Sequence, residues 1–157
     1  MLAAVISMAG GERMNSTDSD AFLHDILATV KSIAVVGASD NESRPSHGVF
    51  GFLVAQGYHV IGVNPNLAGL SVHGAPFYKT LAEVPELMDM VDIFRNSEAA
   101  GGAVDEALAL ESKPKVIWIQ LGVRNDESAS RARALGVKVV MNRCVKLEYK
   151  RLAVQKS

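Results

Sequence analysis

A chain of 157 residues with 48% apolar and 21% charged side chains has the makeup of one globular domain with one core. Its net charge of -1 excludes a general attraction to nucleic acid or anionic membrane, so any anion must be held by a local site. No stretch reaches the roughly eighteen apolar residues of a membrane helix, and the single cysteine, Cys144, precludes an internal disulfide and points to the reducing cytoplasm.

Residues 1–18 show no sustained period and are expected to form a disordered leader. The apolar run from Leu2 to Ile6 lacks the preceding Lys or Arg of a secretory signal, and Met14 is a second candidate start. Ser19 or Asp20 caps a first helix whose Phe22, Leu23, Ile26, Leu27 and Val30 recur at helical spacing. From Ser32 onward short apolar runs alternate with helical patterns. Strands are predicted at 33–37, 59–63, 91–95, 115–120 and 137–141, with a short edge strand near 76–78. Helices are predicted at 45–56, 98–112, 125–135 and 145–153. Gly57 and Gly136 stand where a helix C-terminus favours glycine, Pro114 ends the helix that Ser97 caps, and Asn125 caps a helix whose first turn carries Asp126 and Glu127. Gly101-Gly102 is the one local conflict, costing about 1 kcal/mol per glycine inside a helix. Strands such as Ile33-Ala34-Val35-Val36 and Val116-Ile117-Trp118-Ile119 are apolar on successive residues, as strands covered on both faces are. The expected fold is α/β: a doubly wound, Rossmann-like parallel sheet of about five strands with helices on both faces, forming a single domain over 19–157.

The strand ending Val35-Val36-Gly37-Ala38-Ser39, followed by Asp40 to Ser46 and a helix, is the chain's most telling segment. In open α/β folds such a junction lies at the carboxyl edge of the sheet, where backbone N–H groups and a helix N-terminus attract phosphate. The dinucleotide fingerprint is incomplete, however. No second glycine follows Gly37-Ala38-Ser39, and the second strand ends Val63-Asn64-Pro65 without the acidic residue that binds a ribose 2′-OH. Asn64-Pro65 offers a neutral amide and a rigid turn instead, while Arg44 and Arg95 can each aim a guanidinium at the same edge. A phosphorylated adenosine is favoured over NAD.

The runs AVVGASDNESRPSHGV, GYHVIGVNP, VDIFRNSEAA, WIQLGVRNDESASRARALG and VVMNRCVKLEYKRL, taken in order over roughly residues 20–152, resemble the small single-domain proteins of the CoA-binding family. Those in turn resemble the CoA-binding domain of succinyl-CoA synthetase α subunits. The resemblance implies that coenzyme A or an acyl-CoA is the ligand. It implies that Gly37, Ala38 and Ser39 wrap the diphosphate with backbone N–H groups and the serine hydroxyl, and that Arg44, Pro45 and Ser46 complete the loop and open the helix. Val63, Asn64 and Pro65 would border the adenosine or its phosphorylated ribose. Phe94, Arg95 and Asn96, then Gln120, Leu121 and Gly122, would follow the pantetheine arm. Two departures stand out. Relatives often carry an aspartate and a proline in the segment that here reads Met141-Asn142-Arg143-Cys144-Val145, and a basic residue where this chain has Asn66-Leu67.

Each of these residues also has a plainer role available. Arg95 can pair with Glu98 or Asp92, Arg44 can face only water, and Trp118 belongs in the core. His24, His47, His59 and His73 lack metal-ligand spacing, so no metal is expected, and His47 alone lies near the loop. Cys144 is either a small buried residue or a thiol that exchanges with that of CoA. Ser39 has no His–Asp pair and no Gly-x-Ser-x-Gly elbow is present, so the expected function is CoA binding without catalytic machinery. By the resemblance, the ligases' phosphorylated histidine and nucleotide site lie in other domains. A nucleotide-dependent oxidoreductase or acyl-CoA enzyme, and a regulatory module with a vestigial phosphate pocket, are the alternatives; a protein partner is open.

Overall fold

The apolar runs become neighbouring strands of one sheet. The computed structural model describes residues 18–156, so residues 1–17 of the expected leader lie outside the described residues. In chain order the elements are α1 (Asp20–Thr29), β1 (Ser32–Val36), α2 (Pro45–Ala55), β2 (His59–Val63), β3 (Ser71–Val72), β4 (Ala75–Tyr78), β5 (Met90–Ile93), α3 (Ser97–Leu108), β6 (Val116–Ile119), α4 (Asp126–Ala134), β7 (Lys138–Met141) and α5 (Val145–Arg151). The strand order is β3-β4-β2-β1-β5-β6-β7, parallel throughout except for the antiparallel pair β3 and β4. The order reverses direction beside β1, where open α/β folds place their ligand crevice.

Each face of the sheet has its own apolar core. On one, Leu23, Leu27, Phe50 and Leu53 pack with Ile33, Val35, Met90, Trp118 and Val140. On the other, Ala100, Val104, Ala107, Ala129 and Ala132 pack with Ala34, Ile93, Ile117 and Val139. The small side chains of α3 and α4 let those helices sit close. Close approach accounts for Gly101 of the glycine pair, since a Cβ there would lie 2.8 Å from the Asn125 amide nitrogen, whereas a Cβ at Gly102 would meet nothing within 4 Å.

The structure departs from the expected elements in three places. The sheet has seven strands rather than about five, because the predicted edge strand pairs parallel with β2 and also folds back on the two-residue β3. Residues His73 and Gly74 make that turn with φ of 53° and 78°, the positive values a two-residue hairpin favours. The cap of α3 is Asn96, whose side chain accepts from the Ala99 N–H at 2.8 Å; the Ser97 hydroxyl instead accepts from the Arg124 N–H at 3.1 Å. That helix also ends at Leu108, short of 112, as the Ala109 N–H tightens its last turn onto Asp105 and Glu106.

Gly37 is fixed by close approach. Its φ is +85°, and a Cβ built on it would lie 2.2 Å from the Phe94 carbonyl oxygen. Gly37→Ala should therefore destabilise the protein by about 2–4 kcal/mol, seen as a lower urea midpoint; a change below about 0.5 kcal/mol would show that β1 and β5 can part there freely.

Asp92 lies in β5 between Val35 and Trp118, fully buried, with neither carboxyl oxygen hydrogen-bonded. Burial pushes its carboxyl well above the ordinary value of 3.8. The folded chain thus holds this proton more tightly than the unfolded chain. The associated stability is complete below 3.8 and is lost as pH rises from there to the folded value. Compared by urea denaturation from pH 4 to pH 8, Asp92→Asn should gain on the parent by about 1.4 kcal/mol per pH unit within that window. A pH-independent gap would contradict the buried-acid assignment.

Candidate functional site

At the carboxyl edge the ladder continues one residue beyond four strands. The Gly37 N–H donates to the Val63 carbonyl at 2.9 Å, Asn64 N–H to Tyr78 at 3.0 Å, Phe94 N–H to Val36 at 2.8 Å and Gln120 N–H to Ile93 at 3.2 Å. These bonds align the strand exits in a row. They also correct one expectation: the Gly37 N–H is committed to β2 and does not point to a ligand.

The loop after Gly37 is held by its own polar groups. The Ser39 Oγ accepts from the Asn41 N–H at 3.0 Å, and the Asn41 Oδ1 accepts from the Ser43 N–H and hydroxyl at 2.9 and 2.8 Å. His47 Nδ1 lies 3.0 Å from the Ser39 carbonyl oxygen, which can only accept, so this nitrogen carries the proton and donates. Asn64 fastens the loop to β2, with its Nδ2 donating to the Ala38 carbonyl at 2.9 Å and its Oδ1 accepting from Asn66 N–H at 2.9 Å. Both ends of that amide are spent inside the protein. The 11-residue α2 begins at Pro45 with no side chain capping its first turn, whereas α1, α3 and α4 are capped by Ser19, Asn96 and Asn125. Its N-terminus carries the partial positive charge that attracts anions.

A cleft of about 690 Å³ runs along this edge. One end is formed by Gly37, Ser39, Arg44, Pro45, Ser46 and Asn64, the middle by Phe94, Arg95 and Asn96, and the far end by Gln120 and Leu121, all anticipated from sequence. Four anticipated residues do not line it. Ala38 and Val63 are buried in the core, Pro65 opens an exposed 3-10 turn (Pro65–Leu67), and Gly122 forms a turn with φ +87°. Conversely, Asp40, Val49, Asn66, Leu67, Val123, Cys144 and Leu147 also line the cleft. Val49 was legible, being one helical turn from Pro45. Cys144 had been weighed as a thiol near that of CoA; the others come from loops and from α5, whose approach to this edge no local pattern announces.

Among the described residues neither arginine of the cleft is held by an ion pair. Arg95 pairs with neither Glu98 nor Asp92, the latter having no partner. Gln120 is 7% exposed and its Oε1 has no hydrogen-bond partner. Trp118 is in the core as expected, and its indole N–H donates to the Arg143 carbonyl at 2.8 Å. This bond holds the segment carrying Cys144 onto the sheet. Asn142, at φ 60°, accepts from the Gly122 N–H at 2.7 Å through its side-chain oxygen, so an amide supplies here the acceptor that an aspartate would. Cys144 is half-buried rather than in the core, and it forms part of the cleft wall.

Residues 31–150 match the CoA binding domain family. A Bacillus subtilis (strain 168) protein known only as the uncharacterized protein YneT is 35% identical over 131 residues, covering 83% of this chain and 94% of its own length. Among solved structures, that of cell-free ID.343 from Thermus thermophilus is 37% identical with a TM-score of 0.80, covering 85% of this chain and 98% of its own. A hypothetical protein from Pyrococcus horikoshii OT3 is 30% identical with a TM-score of 0.82, covering 92% and 99%. With its strand exits, its cleft and the match over residues 31–150 in agreement, this chain belongs to the CoA binding domain family.

Proposed function

We propose that the protein binds coenzyme A or an acyl-CoA along the carboxyl-edge cleft and holds it without chemical change. The observation that carries this is the continuity of the cleft, which joins two unpaired guanidinium groups and an uncapped helix start to an end walled by Gln120, Leu121, Cys144 and Leu147. CoA has the same polarity, with phosphates at one end and a thioester-forming arm at the other. The diphosphate lies at Ser39 and the start of α2, where the hydroxyl and helix dipole meet it. The adenosine lies beside Asn64, Asn66 and Leu67, with no carboxylate at the end of β2 to repel a phosphorylated ribose. Arg95 provides a charge-assisted contact to phosphate.

Binding without catalysis is the reading that the groups of the cleft wall support. Among the described residues its wall holds the hydroxyl and thiol groups of Ser39, Ser46 and Cys144 and one carboxylate, Asp40, while the His47 ring behind it is engaged with the Ser39 carbonyl. Acyl transfer needs a nucleophile with a base in reach. Free CoA, an acyl-CoA carried for another protein, and a sensed CoA pool are all served by the same site. The cytoplasm, where CoA thiols stay reduced, suits a chain with one free cysteine.

Calorimetric titration with CoA, acetyl-CoA, dephospho-CoA and NAD(H) tests the proposal. Heat and a thermal shift are expected with CoA and acetyl-CoA, less with dephospho-CoA and none with NAD(H). Silence from every CoA species would overturn it, and preference for NAD(H) would move the protein among the oxidoreductases. Arg95→Ala should weaken CoA binding by about tenfold or more, the loss of about 1.5 kcal/mol that a charge-assisted phosphate contact carries. An affinity within about twofold of the parent would remove Arg95 from the phosphate site.

A further inference from the structure

We infer that Cys144 is a thiol–disulfide exchange site that captures the disulfide form of CoA as a mixed disulfide, an inference that rests on the CoA reading of the cleft. The placement comes from the sheet. Strands β1, β5, β6 and β7 are successive neighbours, and Cys144 follows β7 by three residues. There, at the start of α5, Cys144 shares the wall of one cleft with Ser39, Arg95 and Gln120. A pantetheine arm that starts from a diphosphate at Ser39 and runs past Arg95 and Gln120 delivers its sulfur to this end.

A second observation marks the path. Gln120 lies on β6's exit, between the loop and Cys144; it is 93% buried by its 7% exposure, and its Oε1 accepts from no group among the described residues. A buried acceptor of this kind calls for a donor. The pantetheine arm carries two amide N–H groups, and one of them satisfies it. Cys144 itself is set on a fixed support: its carbonyl accepts from the Glu148 N–H at 2.9 Å, the preceding carbonyl accepts from Trp118, and the following Val145 is fully buried.

The exchange is balanced without any further oxidant. The Cys144 thiolate attacks one sulfur of the CoA disulfide, the Sγ–S bond forms as the S–S bond breaks, and the second CoA leaves as a thiolate that takes up a proton from water. Cys144 is oxidised to the disulfide level and one CoA is reduced. Because the chain has no second cysteine, nothing within it can resolve the adduct, which persists until an external thiol arrives. The site stores one CoA covalently under oxidising conditions and returns it under reducing ones.

The test uses the reduced full chain with CoA disulfide or glutathione disulfide at equal concentration, followed by intact-mass analysis, with and without saturating acetyl-CoA. Any adduct lies on Cys144, the only thiol. A single CoA adduct forming at least about tenfold faster than the glutathione adduct is expected, with acetyl-CoA suppressing that advantage, because cleft binding raises the effective concentration of the disulfide. If acetyl-CoA binds but the two disulfides react alike, or Cys144 stays unmodified, or acetyl-CoA gives no protection, the exchange site is overturned while CoA binding stands. If no CoA species binds, both fall together.

Discussion

The whole carboxyl edge depends on the approach of Gly37 to the Phe94 carbonyl. There the backbone of β1 leaves the sheet at φ +85°, with no room for a side chain, while its N–H still donates to Val63. Because β1 is bonded to β2 on one side and to β5 on the other, this one departure brings three strand exits into register. The loop from Ser39 to Arg44 can then close on itself with short polar bonds, and α2 can begin at a place where no side chain competes for its first turn. A parallel sheet offers this geometry at its carboxyl edge alone, since its helices start there.

Polar groups at this edge divide into those that bond within the fold and those that do not. Asn64 uses both ends of its amide to join loop and strand, Asn142 uses its oxygen to hold Gly122, and His47 donates to the Ser39 carbonyl. Among the described residues Arg44, Arg95 and the Gln120 oxygen have no such partner. That division sets the character of the site. With a chain charge of -1, positive potential at this edge comes from local guanidinium groups and a helix dipole rather than from a basic face.

The sequence was most legible where period and packing coincide. The core strands and α2 follow from apolar runs between turn signals, and the α/β fold with them. Gly37 stands at the strand-to-loop junction where it was expected, but its N–H is committed to β2, because pairing beyond a strand's end depends on the neighbouring strand and not on the segment itself. Asn64 stands at the cleft as expected, but the use of its amide as a clasp between loop and strand was not legible, for the same reason. The two-residue β3 carries too little pattern to be seen, and its hairpin depends on His73 adopting φ 53°. Asp92 was weighed only as a salt-bridge partner of Arg95; its burial in β5 between Val35 and Trp118 is a consequence of sheet order, which local sequence does not encode.

Sheet order also decides what Cys144 can do. In the chain it follows the last strand, which is why it was weighed as a partner for the CoA thiol; in the sheet it stands in the wall of the same cleft as Ser39 and Gln120. The tie from Trp118 to Arg143 keeps it there, so a core aromatic residue sets the position of a half-buried thiol. Substituting the tryptophan would act on the cleft through that tie and not through any contact of its own with ligand. The parallel order that buries strands on both faces thus also gathers chemically unlike residues, distant in sequence, along one line that a long, two-ended ligand can follow.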